Sequence, residues 1–241
     1  MKKILKLLVK ALATLLVIAI VFGISYCGVY CVKGYKEYKR VIEETPIEVK
    51  VQEVYSKEHF TKKEELPKIY IDAVIAVEDR KFYSHGAISV MSTLRAIFTN
   101  VKEKELLQGG STITQQLAKN LYFDQSKDLT RKFAELFVAI DLEKKYTKDE
   151  IFELYVNNIY FGSGYYCIYD ASMGYYGVTP AQLDANQATI LAGVPNAPSV
   201  YSPDNNTPLT AQRQQQVIDC MVKYKFISEE EAQQITIDKG E

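Results

Sequence analysis

The chain has 241 residues, with 29 basic and 30 acidic side chains giving a formal net charge of -1. That balance lacks the basic excess that a phosphate backbone demands, so nucleic acid is excluded as an expected partner. Two histidines are too few for a multi-histidine metal centre, and four cysteines without a C-x-x-C spacing make neither a zinc site nor a disulfide scaffold.

Residues 1–10 carry Lys2, Lys3, Lys6 and Lys10 and read as a short cytoplasmic tail. From Ala11 to Val32 no charge occurs, and a bilayer core needs about 20 apolar residues as a helix. A signal peptide has a shorter apolar core, about 7–15 residues, so residues 11–32 are expected to form an uncleaved anchor. Lys33, Lys36, Lys39 and Arg40 follow the run, so basic residues flank both ends and charge alone only weakly favours an inside N-terminus. Cys27 and Cys31 within it read as small apolar residues.

Residues 33–54 read as a juxtamembrane linker, and the alternation from Ile47 to Val54 predicts a short extended segment. Residues 55–241 then form one domain. Pro67 suits the first turn of a helix that places Ile71, Val74, Ile75 and Glu78 on one face. An apolar stripe of Phe133, Leu136, Phe137 and Ile140 marks a second helix over 130–146. Thr147 with Glu150, and Ser228 with Glu231, have capping-box spacing. Thr179 followed by Pro180 predicts a helix opening there. The stretch from Gly162 to Tyr176 reads as loop or short helix. Strand signals are scarce, and the domain is expected to be mainly α-helical. Cys167 and Cys220 read as free thiols, with pairing as the alternative.

Glu78 is a charge on an apolar face, where partial desolvation suits a general base. The plainer alternative is a helix-end ion pair with Arg80 or Lys81. Gly109 and Gly110 run into Ser111 and Thr112 and then into a helix carrying Gln115, Gln116, Lys119 and Asn120. A glycine turn at a helix start favours an anion such as phosphate, although the P-loop spacing is absent and a plain N-cap would look the same. Arg131 and Lys132 offer further phosphate contacts or a solvated face. Glu135 lies four residues from Arg131, a spacing that also fits a structural ion pair. Two separated carboxylates, a phosphate-friendly turn and an anchor together suggest sugar transfer from a lipid-linked donor.

The ordered motifs resemble those of the family 51 glycosyltransferases, the peptidoglycan transglycosylases found alone or fused to penicillin-binding transpeptidases. Glu78-Asp79-Arg80-Lys81-Phe82-Tyr83-Ser84-His85-Gly86 matches E-D-x-x-F-x-x-H-x-G with one residue fewer before the glycine. G-G-S-T-I-T-Q-Q is complete from Gly109 to Gln116, and R-K-x-x-E is Arg131, Lys132 and Glu135. Lys148 to Asn157 resembles the fourth motif, with Phe152 and Val156 substituted. Arg213, Val217, Ile218 and Met221 resemble the fifth, with Gln214 replacing its second arginine.

The resemblance implies a lysozyme-like helical domain behind a single transmembrane helix, on the extracellular side of a bacterial plasma membrane. It implies that lipid II is polymerised into glycan strands, with lipid-linked glycan as donor and undecaprenyl pyrophosphate released. Glu78 would be the base for the acceptor 4-hydroxyl and Glu135 the second essential carboxylate. Lys119, Lys127, Arg131 and Lys132 would face the pyrophosphate. Asp79, Phe82, His85, Gly86, Gly110, Ser111, Thr112, Gln115, Gln116 and Asn120 would line the substrate site. No organic cofactor is implied; a divalent cation, magnesium or manganese, is left open at Glu135. Other cell-wall synthesis proteins are candidate partners. Ser89, where an acid is common, and Cys167 and Tyr169, in a stretch that usually contains glycine, depart from the pattern without touching the paired glutamates. No Ser-x-x-Lys transpeptidase motif occurs up to Glu241, so a monofunctional enzyme is expected. A muramidase-like hydrolase and an inactive cell-wall scaffold are the competing readings.

Overall fold

A computed structural model describes residues 2–88, 110–124, 128–205 and 208–237. The described residues contain helices and no strands, as the scarcity of alternating patterns predicts. The first helix, α1 (Lys2–Glu44), carries the uncharged run and continues unbroken beyond it. It is long and apolar enough to cross a membrane, and its apolar side chains from Leu12 to Val29 are exposed.

The expected linker is not extended. Residues Ile47–Tyr55 form α2, with Ile47, Val51 and Val54 buried. Those three fall at helical spacing, and Val49, which completes the apparent alternation, is exposed instead. Burial of a helical stripe therefore outweighs the period-two pattern. Removing the fully buried Ile47 side chain should leave a cavity, and Ile47→Ala is expected to cost about 2–5 kcal/mol. Urea unfolding of the detergent-solubilised chain measures this; a loss under 1 kcal/mol would return α2 to the status of a tether.

The end of α1 belongs to the domain as well. Val41 is buried, and Tyr35 and Tyr38 pack on Phe137. Asn157 joins the α2 exit to the core. Its amide donates to the Thr61 carbonyl at 2.7 Å, and its oxygen accepts from the Thr61 backbone N–H at 2.9 Å.

Helix α3 (Lys68–Glu78) delivers Glu78 at its C-terminal end. Helix α4 (Ile113–Tyr122) starts at Thr112, whose hydroxyl accepts from the Gln115 N–H at 3.1 Å while Gln115 reaches back to the Thr112 N–H. Helix α5 (Leu129–Lys145) is capped by Asp128, and α6 (Lys148–Val156) by the Thr147–Glu150 box. Helix α5 is packed on two sides. Ala134, Glu135, Val138, Ala139 and Leu142 are its buried positions, whereas Phe137 of the predicted stripe is only half-buried and meets α1.

Helix α7 (Ile168–Tyr176) starts at Cys167, whose sulfur accepts from the Asp170 N–H. All four cysteines are unpaired. Thr179 and Pro180 open only a 3-10 turn; α8 (Ala185–Gly193) begins later, with Asp184 as its cap. The carboxylate accepts from the Gln187 N–H at 2.8 Å, and Gln187 answers on the Asp184 N–H, a fuller cap for the helix proper. Helix α9 (Pro208–Lys223) and the short α10 (Glu229–Gln233) are the last helices of the described residues, the latter capped by Ser228 as expected. Helix α3 packs against α8 and α9, and α4 against α5 and α6. The candidate site lies where these two groups meet.

Candidate active site

Glu78 leaves the last turn of α3 with its side chain only 9% exposed. Neither Arg80 nor Lys81 pairs with it. Its Oε2 accepts from Gln116 Nε2 at 2.7 Å, and Arg213 Nη2 of α9 lies 3.5 Å from its Oε1. Gln116 is itself oriented, because its Oε1 accepts from the Tyr155 hydroxyl at 3.3 Å. Tyr155 is fully buried, and burial, then the charge of Glu78, pushes its pKa well above the ordinary phenol value. It therefore stays a donor. Arg213 is held by the Gly193 carbonyl at 3.2 Å. A side chain at Gly193 would meet Arg213 Cγ at 2.9 Å, so glycine is what lets α9 come this close.

Glu135 is fully buried on α5. Lys132 Nζ donates to its Oε2 at 2.8 Å and to Ser111 Oγ at 3.0 Å. Arg131 Nη1 lies 2.7 Å from Oε1 as an ion contact, off the direction of a hydrogen bond. The α4 start and the α5 cations thus meet at one carboxylate. That carboxylate already faces two cations, and the described residues hold no group of three His, Cys, Asp or Glu side chains suited to a metal ion. No step below is routed through a divalent cation.

Lys119 lies within electrostatic reach of both carboxylates. Its half-buried ammonium has a pKa lowered from the ordinary lysine value, first by burial; Glu135 opposes that shift, Arg131 and Lys132 add to it, and Glu78 opposes it. All four charges act on Lys119, so both glutamates share one electrostatic neighbourhood. Gln116, Lys119 and Asn120 form one wall of a cavity of about 290 Å³, closed by Tyr160, Asn196 and Ser199. A desolvated cation beside such a space is suited to an anion. Only charged Lys119 attracts that anion, and its lowered pKa makes it lose its proton earlier than an ordinary lysine. Affinity for inorganic pyrophosphate should therefore fall as pH rises from 7 towards 10.5, and Lys119→Met should flatten this fall. Calorimetric titration across that range checks it; an identical slope in the variant would remove Lys119 from the anion site.

Other sequence candidates are engaged internally. Asp79 is buried; its Oδ1 lies 2.6 Å from His85 Nε2, and its Oδ2 accepts from the Ile113 N–H at 3.2 Å. Thr112 donates to the Ala87 carbonyl at 2.8 Å. These bonds tie the segment after Glu78 to the start of α4, whose first turn Gln115 closes by its cap with Thr112. Phe82 is buried, with Lys148 Nζ 4.5 Å from its ring centroid. Gly86 is exposed beside this knot and Gly110 lies at the α4 approach. Ser89, Gly109 and Lys127 lie outside the described residues. Arg213 and Tyr155, both of which converge on the Glu78 region, were not among the sequence candidates. Arg213 opens the fifth motif, but its reach to a residue 135 positions away is visible only in three dimensions.

Residues 43–222 match the family described as transglycosylase. A monofunctional glycosyltransferase of Staphylococcus epidermidis is 36% identical over 197 residues, spanning 79% of this chain and 73% of that protein. One from Staphylococcus aureus is 37% identical over 191 residues, spanning 76% and 71%. Penicillin-binding protein 1F of Bacillus subtilis is 40% identical over 168 residues, which is 70% of this chain and 24% of the longer protein.

Proposed function

The chain belongs to the transglycosylase family, and from that premise we propose that it polymerises lipid II into peptidoglycan glycan at the Glu78–Lys119–Glu135 site. That it is a peptidoglycan glycosyltransferase follows from the family and its monofunctional relatives. The choice of substrate and the residue roles are our reading. The observation that carries them is the run of contacts along α4: Gln116 donates to Glu78 at 2.7 Å, Lys119 lines the neighbouring cavity with Gln116, and Ser111 at the helix approach shares Lys132 with Glu135.

In this reading the acceptor 4-hydroxyl lies against Glu78. Its oxygen attacks the anomeric carbon of the lipid-linked glycan while Glu78 takes the proton. The bond from that carbon to the diphosphate breaks on the opposite face, so an α-linked donor gives a β-1,4 link. The bonding pair leaves with undecaprenyl pyrophosphate. Lys119, Arg131 and Lys132 stabilise its developing charge, and Glu135 holds the latter two in place. Gln116 and Arg213 fix the Glu78 carboxylate. The apolar part of α1 seats the enzyme in a plasma membrane with the domain on the outer side, where the lipid substrate is held.

Incubating the full chain in vesicles with lipid II tests the reading. Polymer supports transfer. Shortening of preformed glycan, or no change in either substrate, would replace it with hydrolysis or a scaffold role.

A further inference from the structure

Helices α1 and α5 run side by side in the same direction. Gly34 lies against Thr130, Phe133 and Ala134, Tyr38 against Phe137 and Asp141, and Lys145 reaches Glu48 just beyond α1. The partner numbers rise together, which fixes the pair as parallel. The contact at Gly34 admits no side chain: a Cβ there would stand 2.3 Å from Phe133 Cβ, 2.9 Å from the Thr130 carbonyl oxygen and 3.0 Å from the Ala134 nitrogen. Two of those three atoms are backbone, so only a shift of α5 would relieve the clash.

Gly34 is the second residue after the uncharged run. At about 1.5 Å per residue it lies roughly 3 Å beyond Val32. Tyr26 and Tyr30, one turn apart, have tilted rings with centroids 4.7 Å apart, and Lys33 Nζ lies 5.3 Å from the Tyr30 centroid. An aromatic pair followed by lysine is the side-chain pattern of a membrane–water boundary. Thr130 to Ala134 are level with Gly34, so Arg131 and Lys132 lie in the same layer and Glu135 at most one turn above it. Leu129, at the membrane-directed end of α5, is 46% exposed. The polar layer on each side of a bilayer is about 5–8 Å deep.

We propose that the side-chain-free contact at Gly34 sets the depth of the site. It locks α5 to the membrane helix in a register that holds Arg131, Lys132 and Glu135 in the headgroup layer, where the diphosphate of a lipid-linked substrate lies. Gly34 is thus a positioning residue that acts through α5. The diphosphate part of this inference rests on the proposed function; the depth itself does not.

The chain contains no tryptophan, so Leu129→Trp installs a single fluorescent reporter at the end of α5. In vesicles containing phospholipids brominated high on the acyl chains, the full chain should be quenched by at least half. A charged helical heptad, Glu-Ala-Ala-Lys-Glu-Ala-Lys, inserted between Val32 and Lys33 keeps the α1–α5 contact but lifts the domain by about 10 Å. That insertion should abolish the quenching. It should also lower polymerisation of vesicle-embedded lipid II about 100-fold, while leaving a water-soluble short-chain analogue within threefold. Gly34→Leu, with helix content checked by circular dichroism, should lose quenching without any insertion. Persistent quenching in the heptad variant, or equal loss on both substrates, overturns the depth assignment. Undiminished quenching in Gly34→Leu removes Gly34 from it. If the Leu129→Trp chain without the insertion is quenched but polymerises neither substrate, the functional reading fails and the depth assignment stands.

Discussion

Glu78→Gln is expected to lower glycan polymerisation about 1,000-fold, within the range of about 100- to 10,000-fold for loss of a general base. The substitution keeps the shape of the side chain, and its carbonyl can still accept from Gln116 Nε2, which now stands 2.7 Å from the carboxylate. What disappears is the capacity to take a proton and the charge opposite Arg213, itself 5% exposed. Lipid-linked substrate should still bind, because Lys119, Arg131 and Lys132 are untouched. Polymer yield and substrate retention on the same vesicles separate the two effects. A variant that keeps its rate within tenfold would sink the assignment of Glu78 as base. Arg213→Met, which leaves the carboxylate but removes its distant partner, should give a smaller loss, roughly 10- to 100-fold, in proportion to a positioning contact.

Glu135→Gln should harm both stability and turnover. The wild-type carboxylate is fully buried between Arg131 and Lys132, so the neutral amide leaves two cations facing each other. Breaking a buried pair costs about 3–5 kcal/mol. The Lys132 side chain is 42% exposed, however, and water will screen part of the repulsion, so a loss of about 2–3 kcal/mol is expected here. Polymerisation should fall at least 100-fold as the pyrophosphate-facing cations splay apart. The double variant Arg131→Met with Glu135→Met separates these consequences, since apolar side chains of similar volume can restore the stability of a buried ion pair. Its unfolding midpoint should recover while polymerisation stays low. Recovery of both would make the cluster a purely structural device.

Helix starts were the most legible part of the fold, because a cap is a local hydrogen-bonding event. Thr147 and Ser228 do what their spacing predicts. Thr179 and Asp184 show the limit: both can cap, and only the chain's later course decides which one opens the long helix. At Ile47 to Val54, eight residues satisfied two periodicities, and the deciding factor was the surface available for Ile47, Val51 and Val54 to bury against. The stripe on α5 was real but incomplete. Its phenylalanines meet α1, and a second face carrying Glu135 meets the core, an arrangement that no single-stripe pattern conveys.

For the site, ordered motifs brought out Glu78, Lys119 and Glu135, and the resemblance supplied their roles. The division of labour among their neighbours was not legible. Asp79 and Thr112 look as available as Gln116 in a string of letters, yet the first two tie segments together and the third faces the carboxylate. Arg213 lies too far along the chain for spacing to connect it with Glu78.

The unbroken α1 also constrains how the enzyme searches. A domain hung on a flexible tether tumbles in all directions and presents its cleft to the bilayer only part of the time. With α1 seated in the bilayer as proposed, a domain continuous with that helix, wedged at Gly34 and braced by Tyr35 and Tyr38 on Phe137, would keep two lateral translations and a spin about the bilayer normal. Encounter with a lipid substrate then becomes a planar collision between correctly tilted bodies. Its frequency follows surface density, and diluting the vesicles at constant lipid composition should leave the turnover of each enzyme unchanged.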